Sequence, residues 1–142
     1  NELQRALCQA AVEPGSASST RIPRQPDVKV VVFRPAGAAI DWAQTDLVAA
    51  ASALPGAELI LDEDGLEARR FGAAGSGQVM FYRADGRLAF SGGVTPGRGH
   101  EGLSQGRRSL ERLLLGRGIE VERTPVFGCP IVVDRAAGEE LR

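Results

Sequence analysis

The side chains able to do chemistry are few and scattered. Cys8 and Cys129 are the only cysteines and His100 is the only histidine. A thiolate attacks a disulfide or a peroxide, and it then needs a resolving thiol or a basic neighbour. Cys129 stands between Gly128 and Pro130, with Arg123 the nearest positive charge in sequence. It reads as a redox-active thiol, as a disulfide partner for Cys8, or as a small buried hydrophobe. Two cysteines so far apart make neither a disulfide scaffold nor a zinc site. His100 lies in Gly97-Arg98-Gly99-His100-Glu101-Gly102. As a base or metal ligand it would lean on Glu101, but adjacent residues rarely face one ion. A loop histidine bonded to glycine-rich backbone is the better reading. The same six residues spell G-x-G-x-x-G, but a dinucleotide fingerprint belongs in the first strand–helix turn of a βαβ unit. What remains there is a small-anion site before a helix N-terminus, formed by Arg98, Gly99, His100 and Arg107. The acids Asp62, Glu63 and Asp64 offer too few ligands at set spacing for calcium, and Asp62 or Asp64 reads as a helix cap. No cofactor and no metal is implied.

These groups must be carried by one modest domain. The chain has 142 residues, of which 43% are apolar and 25% charged, the mix of a globular protein. A net charge of −1 argues against non-specific nucleic-acid binding. Aromatic residues, at 5%, are too few for stacking platforms. Lys29 is the only lysine, so arginine carries nearly all the positive charge. No run is long enough for a membrane span. No intact signal peptide is present, and the start at Asn1 rather than Met leaves room for a segment upstream.

Residues 1–27 read as an N-terminal arm. Leu3, Leu7, Ala10 and Ala11 suit a short helix over Asn1–Val12, and a Pro/Ser/Gly-rich linker follows. Residues 28–133 read as the domain. Val28–Phe33 is a β-branched run, as in a central strand buried on both faces. Ala39, Trp42, Ala43, Leu47, Ala50, Ala51 and Leu54 recur near period 3.6 and predict a helix over Ala39–Leu54, with Trp42 on its apolar stripe, in the core or, alternatively, at a partner contact. Ala57–Leu61 predicts a second strand and Leu66–Phe71 a short helix. Val79–Tyr82 and Leu88–Ser91 flank Asp85-Gly86, a hairpin signal. Gly92–Gly102 is a glycine-rich loop and Leu103–Leu115 a helix stopped by Gly116. Ile119–Val121 and Ile131–Val133 are candidate short strands, and residues 134–142 form a polar tail. The order β-α-β-α-β-β-α predicts an α/β, thioredoxin-like fold, with a central mixed sheet flanked by helices.

Four segments carry a family resemblance: VVVFRP, DEDGLEARRFGAAGSGQVMFYRADGRLAFSGG, VTPGRGHEGLSQGRR and TPVFGCP. Across residues 28–130 the chain resembles the RedB-like thioredoxin-fold proteins of bacteria. That resemblance implies a thioredoxin-like fold and an extracytoplasmic, periplasmic setting, often near a membrane. The family's first strand leads into a His-Pro-x-Cys-Pro-Cys type turn. Here Arg34 and Pro35 fill the His-Pro places, while Gly37 and Ala39 stand where the two cysteines would be. Ser76-Gly77 replaces the usual proline before the third strand, and Cys129 matches the family's late cysteine.

Glycine and alanine can neither attack a disulfide nor resolve one, so dithiol exchange at this turn is excluded on composition. The expected function is therefore that of a redox-inactive accessory or interaction subunit of a membrane-associated or extracytoplasmic assembly. Its partner is expected to be a protein, within a membrane-embedded complex in one version of this reading. Ala36, Ala38, Ile40 and Trp42 are the expected contact residues. The alternatives are a thiol-dependent oxidoreductase using Cys129, with or without Cys8, and a small-anion binder at Gly97–Gly102.

Overall fold

The computed structural model describes residues 25–131. Nearly all of the N-terminal arm, with Cys8, lies outside the described residues, as do Val132, Val133 and the tail. The described chain is mixed α/β. Its elements are β1 (Val28–Arg34), α1 (Asp46–Ser52), β2 (Ala57–Glu63), α2 (Leu66–Phe71), β3 (Gln78–Tyr82), β4 (Leu88–Gly93) and α3 (Gln105–Leu114). Their order follows the sequence reading. In place of one central mixed sheet, the hydrogen bonds form two two-stranded sheets, β1–β2 and β3–β4. Each ladder is specified by its own crossover or turn, whereas nothing local in the sequence specifies how two ladders would join. The chain divides into two compact units, and among the described residues one holds Asp27–Ser76 with 128–131 and the other Gly77–Phe127 with 25–26.

In the first unit β1 and β2 run parallel, in register from Val28↔Ala57 to Arg34↔Glu63. Val and Ile suit the pleated surface at half burial. No residue of β1 is fully buried, and Val31 is 43% exposed. The expectation of a strand buried on both faces is therefore corrected: the β-branched run reflects strand propensity rather than depth. Lys29 donates to Glu58 across the ladder, and this hydrogen bond, with smaller help from Asp27, raises the ammonium pKa above its ordinary 10.5.

Helix α1 begins at Asp46, not Ala39. Thr45 is its cap, and its Oγ1 accepts from Val48 N at 3.2 Å. Upstream, turn bonds close the chain instead, with Trp42 N donating to Ala39 O at 3.0 Å and Gln44 N to Asp41 O at 2.8 Å. A threonine hydroxyl at a cap offers the first-turn donors the partner they lack, which sets the boundary more firmly than alanine periodicity does. Helix α2 is where the sequence placed it. Gly65 has no side chain to cap it, so Asp62 reaches forward, and its two carboxylate oxygens accept from Glu67 N (2.8 Å) and Ala68 N (2.9 Å).

The second unit holds the apolar core. Phe90, Ala89 and Leu113 are buried, with Val79, Phe81, Val94 and Ile119 packed on them. The hairpin β3–β4 closes as Asp85-Gly86 suggested: Gly86 sits at φ 82°, and Arg87 N donates to Asp85 Oδ1 at 2.9 Å. Segment Ile119–Val121 forms no strand. The ladder partner falls later, as a single bridge between Ser91 and Arg123. Three glycines make this packing close. A Cβ on Gly106 would stand 2.0 Å from Gly93 O, one on Gly93 2.5 Å from Pro125 O, and one on Gly92 2.3 Å from Thr124 Oγ1.

Candidate functional site

The turn between β1 and α1 is built by Arg34. Its Nη1 meets Glu63 Oε1 at 3.1 Å and its Nη2 donates to Ala38 O at 3.2 Å, so one guanidinium ties the strand end to the turn. Its Nε is buried without a hydrogen-bond partner. Ala38 N closes the turn on Pro35 O at 3.1 Å. Gly37 sits at φ 72°, the left-handed region that a Cβ disfavours. Nothing lies within 4 Å of where its Cβ would be, so glycine is required there by backbone angle rather than by crowding.

Thioredoxin chemistry draws on a helix N-terminus to stabilise the attacking thiolate. Here the helix cap is Thr45, and both Gly37 and Ala39 lie upstream of it, outside the helix. The turn therefore lacks two things, the thiols and the helix dipole. The second was not legible in the sequence, which placed the helix start at Ala39.

The same turn exposes apolar surface. Ile40 is 87% exposed, Trp42 51% and Leu47 79%. The expected core position for Trp42 is thus corrected. Its indole Nε1 donates to Phe33 O at 3.1 Å, which anchors the ring to the end of β1 while leaving half of it open. Trp42 lies in the part of the periodic stretch that precedes the helix, so the helical period does not place it. Ala36 is exposed, and Ala38 is half-buried. The exposure extends across this unit to Val31, Leu61, Leu66 and Phe71. Ala68 is the unit's only fully buried apolar residue among those described.

Cys129 is exposed and sits in a strap beside Ser76. Its N donates to Ser76 Oγ at 2.9 Å, and its O accepts from Ser76 N at 2.8 Å. Pro130 bridges to Gly75, and Ile131 N donates to Ala74 O at 3.0 Å. The sequence reading of Cys129 as a buried hydrophobe is corrected, because the strap lies at the surface. A pairing with Cys8 falls outside the described residues.

In the loop at 97–102, His100 Nδ1 lies 2.9 Å from Arg98 O, a backbone contact of the kind expected for a loop histidine. Arg98 Nε donates to Phe127 O at 3.3 Å. Gly99 takes φ 68° in the turn between them. Arg107 Nε donates to Glu111 Oε1 at 2.9 Å, one turn along α3. The helix is capped by Ser104, whose Oγ accepts from Arg107 N at 3.0 Å and donates to Val94 O at 2.8 Å. An anion here would have to compete with the Glu111 carboxylate for Arg107 and with Ser104 for the backbone donor. Among the described residues, no helix is long and apolar enough to cross a membrane, and no group of three or more His, Cys, Asp or Glu is placed to hold a metal. Comparison with protein-family models, with curated proteins and with solved structures returned no match.

Proposed function

We propose that this chain is a redox-inactive, thioredoxin-like accessory subunit, similar to the RedB-like proteins, that works by protein contact in an extracytoplasmic, membrane-associated assembly. The observation carrying the proposal is the turn after β1. It has alanine and glycine at the dithiol positions, no helix N-terminus beside them, and exposed Ile40 and Trp42 instead. The parallel β1–β2 pair, the β3–β4 hairpin and the closing α3 support the thioredoxin-like assignment. A unit with so little apolar surface buried gains by covering it, and large exposed apolar patches are characteristic of contact surfaces. The test is recovery of a stoichiometric complex from the native membrane extract. A chain that stays monomeric and recovers nothing contradicts the proposal.

A second reading rests on Cys129. It is exposed, and hydrogen bonds to Ser76 hold its backbone. A thiol-dependent oxidoreductase built on it would lose all turnover in Cys129→Ser.

A further inference from the structure

The accessory-subunit reading leaves open what kind of partner the exposed turn takes, and the charge around it narrows the choice. From Pro35 to Ala68 the sequence contains seven carboxylates and no lysine, arginine or histidine. Over the described residues of this unit, eight carboxylates face four basic side chains, a net −4. Most of these acids already have partners. Glu58 pairs with Lys29, Glu63 with Arg34, Glu67 with Arg70, and Asp62 caps α2. Asp41 and Asp46 join no ion pair among the described residues. They interleave with the three exposed apolar side chains, in the order Ile40, Asp41, Trp42, Asp46, Leu47.

We infer that the Ile40–Leu47 face docks a basic, apolar segment of a partner protein, one that pairs arginine or lysine with aliphatic side chains. The inference rests on the accessory-subunit reading and names the chemistry of its partner. Trp42 is suited to be the central anchor. Its one polar atom is already satisfied by Phe33 O, so burying the ring strands no donor. The turn is held in advance by Arg34 through Ala38 O and by the Thr45 cap, so little chain entropy is lost on docking. The aspartates sit beside the apolar residues, where charges set partner choice and association rate more than affinity. An acidic partner would place like charge against Asp41 and Asp46.

Trp42 is the only tryptophan, so its emission reports on this face directly. The full chain is titrated with three synthetic peptides: one alternating leucine and arginine, its leucine–glutamate twin, and a serine–arginine peptide of equal charge. The expected result is a blue shift with the leucine–arginine peptide, and binding at least tenfold weaker with the other two. Asp41→Asn/Asp46→Asn should weaken that binding by about three- to tenfold and flatten its salt dependence. Ile40→Ser should weaken it without changing the salt dependence. Equal binding of the arginine and glutamate peptides overturns the inference, and so does equal binding of the serine and leucine peptides. A shift that appears on concentrating the chain alone also overturns it, because a second copy is then the occupant. Insulin reduction by the chain would sink the accessory reading itself, and the titration does not depend on that assay. The two failures are thereby distinguishable.

Discussion

Removing the Asp62 carboxylate should unfasten α2. Asp62 is 2% exposed and is the only side chain capping this helix, because the cap residue Gly65 has none. Asp62→Ala leaves the Glu67 and Ala68 amides without partners. Ala68 is buried, so its orphaned N–H costs on the order of 1–3 kcal/mol. Glu67 is half-buried and water reaches its amide more easily, so its loss adds about 0.5–1 kcal/mol. The missing negative charge at the helix N-terminus adds about 0.3–1 kcal/mol. The total is roughly 2–5 kcal/mol for Asp62→Ala. Asp62→Asn keeps one acceptor and should cost about half as much. Urea unfolding followed by Trp42 emission reports on this unit, because the only tryptophan lies in it. With a urea slope of about 2 kcal/mol/M, the midpoint should fall by roughly 1–2.5 M for the alanine variant. A shift under about 0.25 M, or an asparagine variant as weak as alanine, would refute the reasoning.

Four further outcomes follow from the geometry. Gly106→Ala puts a Cβ 2.0 Å from Gly93 O and must push α3 off β4, so thermal unfolding should show a loss of at least about 2 kcal/mol; an unchanged midpoint would contradict the close packing. Thr45→Ala removes the acceptor for Val48 N and should cost about 0.5–2 kcal/mol, with faster amide exchange confined to the first turn of α1. Introducing a cysteine pair as Gly37→Cys/Ala39→Cys should not create a reductase, because the helix start lies downstream and residue 37 would be strained at φ 72°; insulin reduction above the wild-type rate would show otherwise. Lys29 should titrate above 10.5, chiefly through its hydrogen bond to Glu58. A raised folded-state pKa means the stabilisation is complete below the unfolded value and is lost as pH rises through the folded one. The loss should therefore be confined to alkaline pH and absent from Lys29→Met, as read by stability against pH and by NMR of the labelled lysine.

Much of the element order was legible because it rests on local chemistry. Asp85-Gly86 marked a hairpin that needs a residue at positive φ, and Gly86 supplies it. The valine run marked β1, and the acids before Leu66 marked α2, where Asp62 caps it. What was not legible depends on competition between local and distant partners. Ala39, Trp42 and Ala43 carry helical periodicity, yet Thr45 captures the helix start and the turn takes the residues before it. Burial depth was misread for the same reason in β1 and at Trp42: apolar identity says what a residue tolerates, not what covers it. The absence of any thiol from the turn was legible from composition alone. The missing helix N-terminus, the Arg34 tie to Ala38 O and the exposed Ile40, Trp42 and Leu47 needed three dimensions.

The central claim is that this chain is redox-inactive and works by contact through the turn after β1. The most direct measurement is insulin disulfide reduction by the full chain beside Cys129→Ser, with dithiothreitol as electron donor. The account predicts that both proteins stay at the uncatalysed background rate. Turnover by the wild-type chain that disappears in Cys129→Ser would contradict it.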